Sequence, residues 1–130
     1  MNILDENISE TQWRRLHSWR IAIRPIGYDI GQKEMKDERI IPFLLQLHRP
    51  TFFTVDAGFY RRNLCHSRYC LVYYMDIREQ EVAVFVRRLL RHPEFDTEAK
   101  RMGAVIRVSH AGLTAWRLHA EKEARLGWAD

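Results

Sequence analysis

With 130 residues, of which 46% are hydrophobic and 29% charged, the chain is long enough for one hydrophobic core and too short for two ordinary domains. Four Trp, five Tyr and six Phe exclude a disordered or low-complexity chain, which lacks the apolar surface needed to offset chain entropy. No apolar run approaches the ~18 residues of a membrane span, and the opening MNILDENISE has neither the basic start nor the apolar stretch of a secretory signal. The expectation is a single cytoplasmic domain over residues 1–130 with no membrane association. The net charge of +4 is unevenly placed: residues 1–60 hold eight basic and eight acidic side chains, residues 61–130 hold thirteen and nine. Attraction to a polyanion is therefore expected from the second half. Cys65 and Cys70, with His66 between them, make one close pair where a structural zinc site needs two, so ordinary thiols are expected.

In chain order, Asn2-Ile3-Leu4 is a short apolar run closed by Asp5-Glu6-Asn7. Ile8, Trp13, Leu16 and Trp19 then recur at near-helical spacing behind Ser9, a candidate N-cap. Ile21-Ala22-Ile23 reads as a strand stopped by Arg24-Pro25, and Gly27 and Gly31 mark a loop through Lys33 and Lys36. Asp37 stands at an N-cap position ahead of a helix carrying Ile40, Ile41, Leu44, Leu45 and Leu47, with Pro42 placed in its first turn.

Thr51-Phe52-Phe53-Thr54-Val55 is β-branched and aromatic, hence a buried strand, and is followed by Asp56 and Gly58. Leu71 to Met75 repeats the pattern and ends at Asp76. Val82, Phe85, Val86, Leu89 and Leu90 give an amphipathic helix between Arg78 and Arg91, with Arg87, Arg88 and Arg91 on its wet side. Residues 104–108 and 113–117 read as a C-terminal β-hairpin about Gly112, and the last dozen residues as a terminal helix or frayed tail. Alternating strands and helices predict an α/β fold with a mainly parallel sheet.

In such sheets ligand chemistry gathers at the carboxyl ends of strands. Asp5 and Asp56 each follow a predicted strand, Asp37 opens a helix, and Asp76 follows the next strand. If the strands are neighbours, crowding raises the carboxyl pKa values unless a cation is bound. Mg²⁺ or Mn²⁺ suits oxygen ligands of this kind, and such a site serves phosphodiester hydrolysis. Taken singly, each acid has the alternative role of a cap; Glu6 and Glu38 are adjacent alternatives as ligands.

Ile3-Leu4-Asp5-Glu6-Asn7, Gly27-Tyr28-Asp29, Asp37-Glu38-Arg39-Ile40 and Thr54-Val55-Asp56 leading to Phe59 resemble, in order and spacing, a short bacterial branch of the PIN-like superfamily with "LLDENL", "GHDV", "DEEIL" and "TRDRDF" motifs. The resemblance covers about residues 1–60. It implies a three-layer α/β/α fold and a Mg²⁺- or Mn²⁺-dependent endoribonuclease, with Asp5, Asp37 and Asp56 as catalytic metal ligands. It also implies kinship with toxins of toxin–antitoxin pairs, and hence an antitoxin protein as a partner. Where the family motif has a second Asp before Phe, this chain has Gly58. Either Asp76 or Glu38 supplies the missing oxygen, or one metal is bound, or the domain binds RNA or a protein without cutting.

Arg61, Arg62 and Arg68 follow the acids, interleaved with Phe59, Tyr60 and Tyr69 and close to His66. Arginines with aromatics suit phosphate contacts and base stacking, so Arg61, Arg62, Arg68, Tyr60 and His66 are the candidate RNA contacts; the competing reading is a core aromatic pair beneath a solvated surface. Trp13 and Trp19 either join the core or form a homodimer surface. Ser109 and His110 lack a third member for a hydrolytic triad.

Overall fold

A computed structural model describes residues 1–128. Seven strands form one sheet: β1 (Asn2–Leu4), β2 (Arg24–Pro25), β3 (Thr51–Thr54), β4 (Cys70–Tyr74), β5 (Ala104–Ser109), β6 (Gly112–Arg117) and β7 (Ala124–Leu126). Their spatial order is β2-β1-β3-β4-β5-β6-β7. Pairing is parallel from β2 through β5 and antiparallel for β5 with β6 and β6 with β7. The fold is thus α/β with a mostly parallel sheet, as the alternating pattern predicted.

Side chains alternate across each strand and build two cores. Leu4, Phe53, Val72, Ile106 and Val108 face α1 (Glu10–Ser18) and α3 (Val82–Leu90). Ile3, Phe52, Leu71 and Val105 face α2 (Asp37–Leu44) and the two 3-10 turns at Ala57–Phe59 and Arg62–Leu64. Strands buried on both faces must be apolar at every position, which is why β3 and β4 are continuous apolar or β-branched runs instead of alternating ones. Each fully buried Phe, Leu or Ile contributes about 1.5–3 kcal/mol relative to exposure.

The connections β3 to β4 and β4 to β5 both step one strand in the same direction, yet the first packs with α2 and the second, through α3, with α1. Lying on opposite faces, the two have opposite hands, one of them the uncommon left hand. Polar contacts secure this layout. Gln12 of α1, itself buried, accepts the first free N–H of α3 from Ala83 at 2.9 Å. Arg101, in the short α4 (Glu98–Arg101), is buried and donates to Thr51 Oγ1 at 2.9 Å and to the Phe95 carbonyl at 2.8 Å.

Several local expectations are corrected. The second strand is Arg24–Pro25, not Ile21–Ile23: the extended pairing with β1 begins opposite Ile3, while residues 20–22 are still leaving α1 through Arg20 at φ +60°. Lys36, not Asp37, is the N-cap of α2, and Asp37 is its first helical residue. Pro42 lies inside that helix instead of its first turn; it leaves the Glu38 carbonyl without its usual intrahelical donor. No terminal helix forms over the described residues: Ala124–Leu126 is strand β7, held to β6 through the pairs Leu113–Leu126 and Ala115–Ala124. The remainder of the predicted tail, residues 129 and 130, lies outside the described residues. Among the described residues no helix is long and apolar enough to cross a membrane.

Truncating Leu71, which is fully buried in the central strand, should cost about 2–5 kcal/mol as Leu71→Ala. The same change at Tyr28, 61% exposed, should stay within about 0.5 kcal/mol. Urea unfolding of the two variants checks the contrast.

Candidate acidic site at the carboxyl edge

Parallel pairing of β1 with β3 sets their carboxyl ends side by side, and the ladder extends one step further through the Asp5 N–H, which donates to the Phe53 carbonyl at 2.9 Å. Asp5 then lies opposite Thr54. The Thr54 hydroxyl donates to Asp5 Oδ2 at 2.6 Å, and the same oxygen accepts the Asp56 N–H at 3.0 Å. One buried hydroxyl therefore joins the two acids, using both its donor and an acceptor position. Asp5 Oδ1 takes a longer bond of 3.3 Å from the Asn7 N–H. Asp56 Oδ1 accepts the Gly58 N–H at 2.8 Å, fixing this carboxylate at the head of the 3-10 turn.

Asp37 approaches from α2. Its carboxyl stands within hydrogen-bonding reach of Asp56, and this contact raises its pKa, with some desolvation and the charges of Asp56, Asp5 and Glu38 adding to the shift. Asp5 is also raised, chiefly by burial; the bonds from Thr54 and Asn7 oppose the rise, and the charges of Asp56 and Glu6 add to it. A carboxyl beside like charges gives up its proton less readily, which is the direction seen at Asp37.

The structure thus brings Asp5, Asp37 and Asp56 to one place. The other candidate acids go elsewhere. Glu6 accepts the Glu34 N–H through both oxygens, at 2.7 and 3.0 Å, and ties down the loop that leads into α2. Gly27 makes room for it: its φ is +87°, and a Cβ there would meet Glu6 Oε2 at 2.9 Å. Glu38 is exposed on α2 and reaches the cluster only through its charge on Asp37. Asp76 is exposed beyond β4 in a left-handed conformation, φ +56°.

The predicted RNA contacts are largely engaged within the fold. Arg62 donates to the Ala120 carbonyl at 2.8 Å and lies over Trp116; Arg68 donates to the Leu45 carbonyl at 2.6 Å. His66 accepts the Arg68 N–H and stacks on Tyr69. Tyr60 is half-buried, its hydroxyl bonded to Glu123 at 2.5 Å and Thr114 at 2.9 Å, and its pKa is pushed up to about 12, chiefly by burial and then by Glu123. Arg61 is exposed. Cys65 and Cys70 are free thiols; burial pushes Cys70 up to about 12, which keeps it protonated and unreactive.

Among the described residues, no three His, Cys, Asp or Glu side chains form a preformed cage for a metal. The donor set nevertheless fits Mg²⁺ or Mn²⁺: hard carboxylate oxygens, two of them in contact, with water and substrate left to complete the shell as these ions require. Thr54 was the residue that motif reading missed; a Thr one strand-step from Asp5 and two residues before Asp56 was the available signal. Comparison with family models, curated proteins and solved structures finds no match to the chain.

Thr54→Val keeps the shape of the side chain but strips Asp5 of its donor and Asp56 N–H of its acceptor. Urea unfolding should register a loss of about 1–3 kcal/mol. Asp37→Asn should act in the opposite direction. An acid whose folded pKa lies above the unfolded value of 3.8 costs stability at pH above both values, and the cost fades as pH falls through the folded pKa. The metal-free Asn variant should therefore match or exceed wild-type stability at neutral pH, and lose that advantage on acidification.

Proposed function

We propose that the protein is a PIN-like, Mg²⁺- or Mn²⁺-dependent endoribonuclease of three-layer α/β/α type. The observation that carries the reading is the convergence of Asp5, Asp37 and Asp56 at the carboxyl edge of neighbouring parallel strands, with the Asp37 pKa raised by its contact with Asp56. Like charges gathered against their own repulsion are arranged for a cation, not for fold stability.

Asp37, Asp56 and Asp5 would hold the metal. When bound, the ion supplies an activated water and neutralises charge on the leaving oxygen of a phosphodiester. Thr54 and the Asn7 N–H orient Asp5, and the Gly58 N–H orients Asp56 through Oδ1. Asp37 sits in the first turn of α2, where the free N–H groups and helix dipole favour negative charge. Protonation of Asp37, whose pKa is raised by its contact with Asp56, would compete with a cation, so cation affinity should fall as pH drops. A role as the toxin of a toxin–antitoxin pair, cytoplasmic and bound by an antitoxin protein, extends the same reading.

The alternative is a PIN-like module that binds RNA or a protein partner without cutting. Gly58 favours it: a Cβ there would stand 3.1 Å from Asp56 Oδ1, so the acid that the family motif has at this place would crowd Asp56.

Incubating the protein with a panel of structured and unstructured RNAs in Mn²⁺ separates the two. Endonucleolytic products are expected, abolished by EDTA and reduced by about 100-fold or more in Asp5→Asn, Asp37→Asn and Asp56→Asn, since even outer partners of a metal site are worth 10–100-fold. No cleavage of any RNA, together with binding that persists in EDTA, would establish the non-cutting module instead.

A further inference from the structure

The sheet register places a row of polar side chains beside the aspartates. Asp5 is bonded to Thr54; Thr54 pairs with Tyr73, Tyr73 with Arg107, Arg107 with Thr114, and Thr114 with Arg125. Directly paired residues share a sheet face, so all six lie on the side that carries α2. The row runs from acid at β1 to base at β5 and β7.

We propose that Arg107 and Arg125 form a phosphate-binding track for single-stranded RNA, laid along the carboxyl edge of the sheet and leading to the three aspartates. The identity of the ligand rests on the ribonuclease reading; the track rests on the register. Strands stand roughly 4.8 Å apart, which sets Arg107 roughly 14 Å and Arg125 roughly 24 Å of ladder from Asp5. That line suits an extended chain of several nucleotides.

Neither guanidinium is engaged by a carboxylate or carbonyl among the described residues. Arg107 lies over the Tyr60 ring, 5.0 Å from its centroid, which orders the side chain while leaving its N–H edge unused. Tyr60 is in turn held by Glu123, Thr114 and Tyr73. Arg125 is exposed on β7. Both line an open cleft of about 500 Å³, together with Ser109, Gly112 and Thr114. Its lining contains no acidic side chain. Another basic cleft, about 520 Å³ and lined by Arg87, Arg88 and Arg91, lies on α3 and so on the opposite face from the aspartates.

The test is fluorescence anisotropy of a labelled oligouridylate titrated in EDTA at several salt concentrations. Arg107→Gln and Arg125→Gln should each weaken binding several-fold and reduce the salt slope by about 0.7, the contribution of one phosphate on a single strand. Arg87→Gln with Arg91→Gln should leave both quantities unchanged. Arg125 is exposed, so its variant carries the test if the half-buried Arg107→Gln melts early. The proposal is overturned if the wild type does not bind the oligonucleotide, if it binds a duplex more tightly, if both track variants bind as wild type, or if only the α3 variant loses affinity. Binding that depends on both arginines without any cleavage in Mn²⁺ would leave the track standing and remove the nuclease reading. Cleavage that survives both substitutions unchanged would remove the track alone.

Discussion

The Thr54 hydroxyl sits where two parallel strands end together, and the acidic edge hangs on it. It gives its proton to Asp5 and takes one from the Asp56 backbone. The bond to Asp5 would not exist if β1 and β3 were separated by another strand, or if their register slipped by one residue, because a slip sets Asp5 and Thr54 on opposite faces. The register is in turn fixed by Ile3 and Phe52 on one side and Leu4 and Phe53 on the other, all fully buried. Apolar packing several ångströms away thus determines whether two carboxylates meet.

What the packing brings together, electrostatics pushes apart. Asp37 and Asp56 share a contact that neither would choose as two free anions. Asp5 pays for its burial with a raised pKa that two hydrogen bonds only partly offset. The protein tolerates this because the surrounding elements are over-determined: Glu6 fixes the loop entering α2, Gln12 caps α3 and Arg101 joins α4 to β3. Strain of this sort is found where a site is organised for something other than its own stability.

Much of this was legible from local pattern. The continuous apolar runs at 51–54 and 71–74 and the periodicity across 82–90 announce their elements because their burial is nearly complete. Asp5 and Asp56 were legible as strand-end acids for the same reason. Ile21–Ile23 misled because Ile23 is buried in a connection, and burial alone imitates a strand. Arg62 and Arg68 looked available for phosphate, yet their partners, the carbonyls of Ala120 and Leu45, are distant in sequence. Arg107 and Arg125 were invisible as a pair, since only the register across six strands puts them in line with Asp5. Long-range pairing carries that information, and composition and spacing do not.

The mixed pairing of the sheet also divides its contacts by range. β5, β6 and β7 follow one another in the chain and pair across short turns, so their ladder closes with little loss of chain entropy. β1 must instead find β3 across nearly fifty residues, with α1, β2 and α2 intervening. Pairings of long sequence separation form slowly. The basic end of the polar row is therefore built from segments close in sequence, while its acidic end joins segments far apart, so that the two ends of one row draw on contacts of different range.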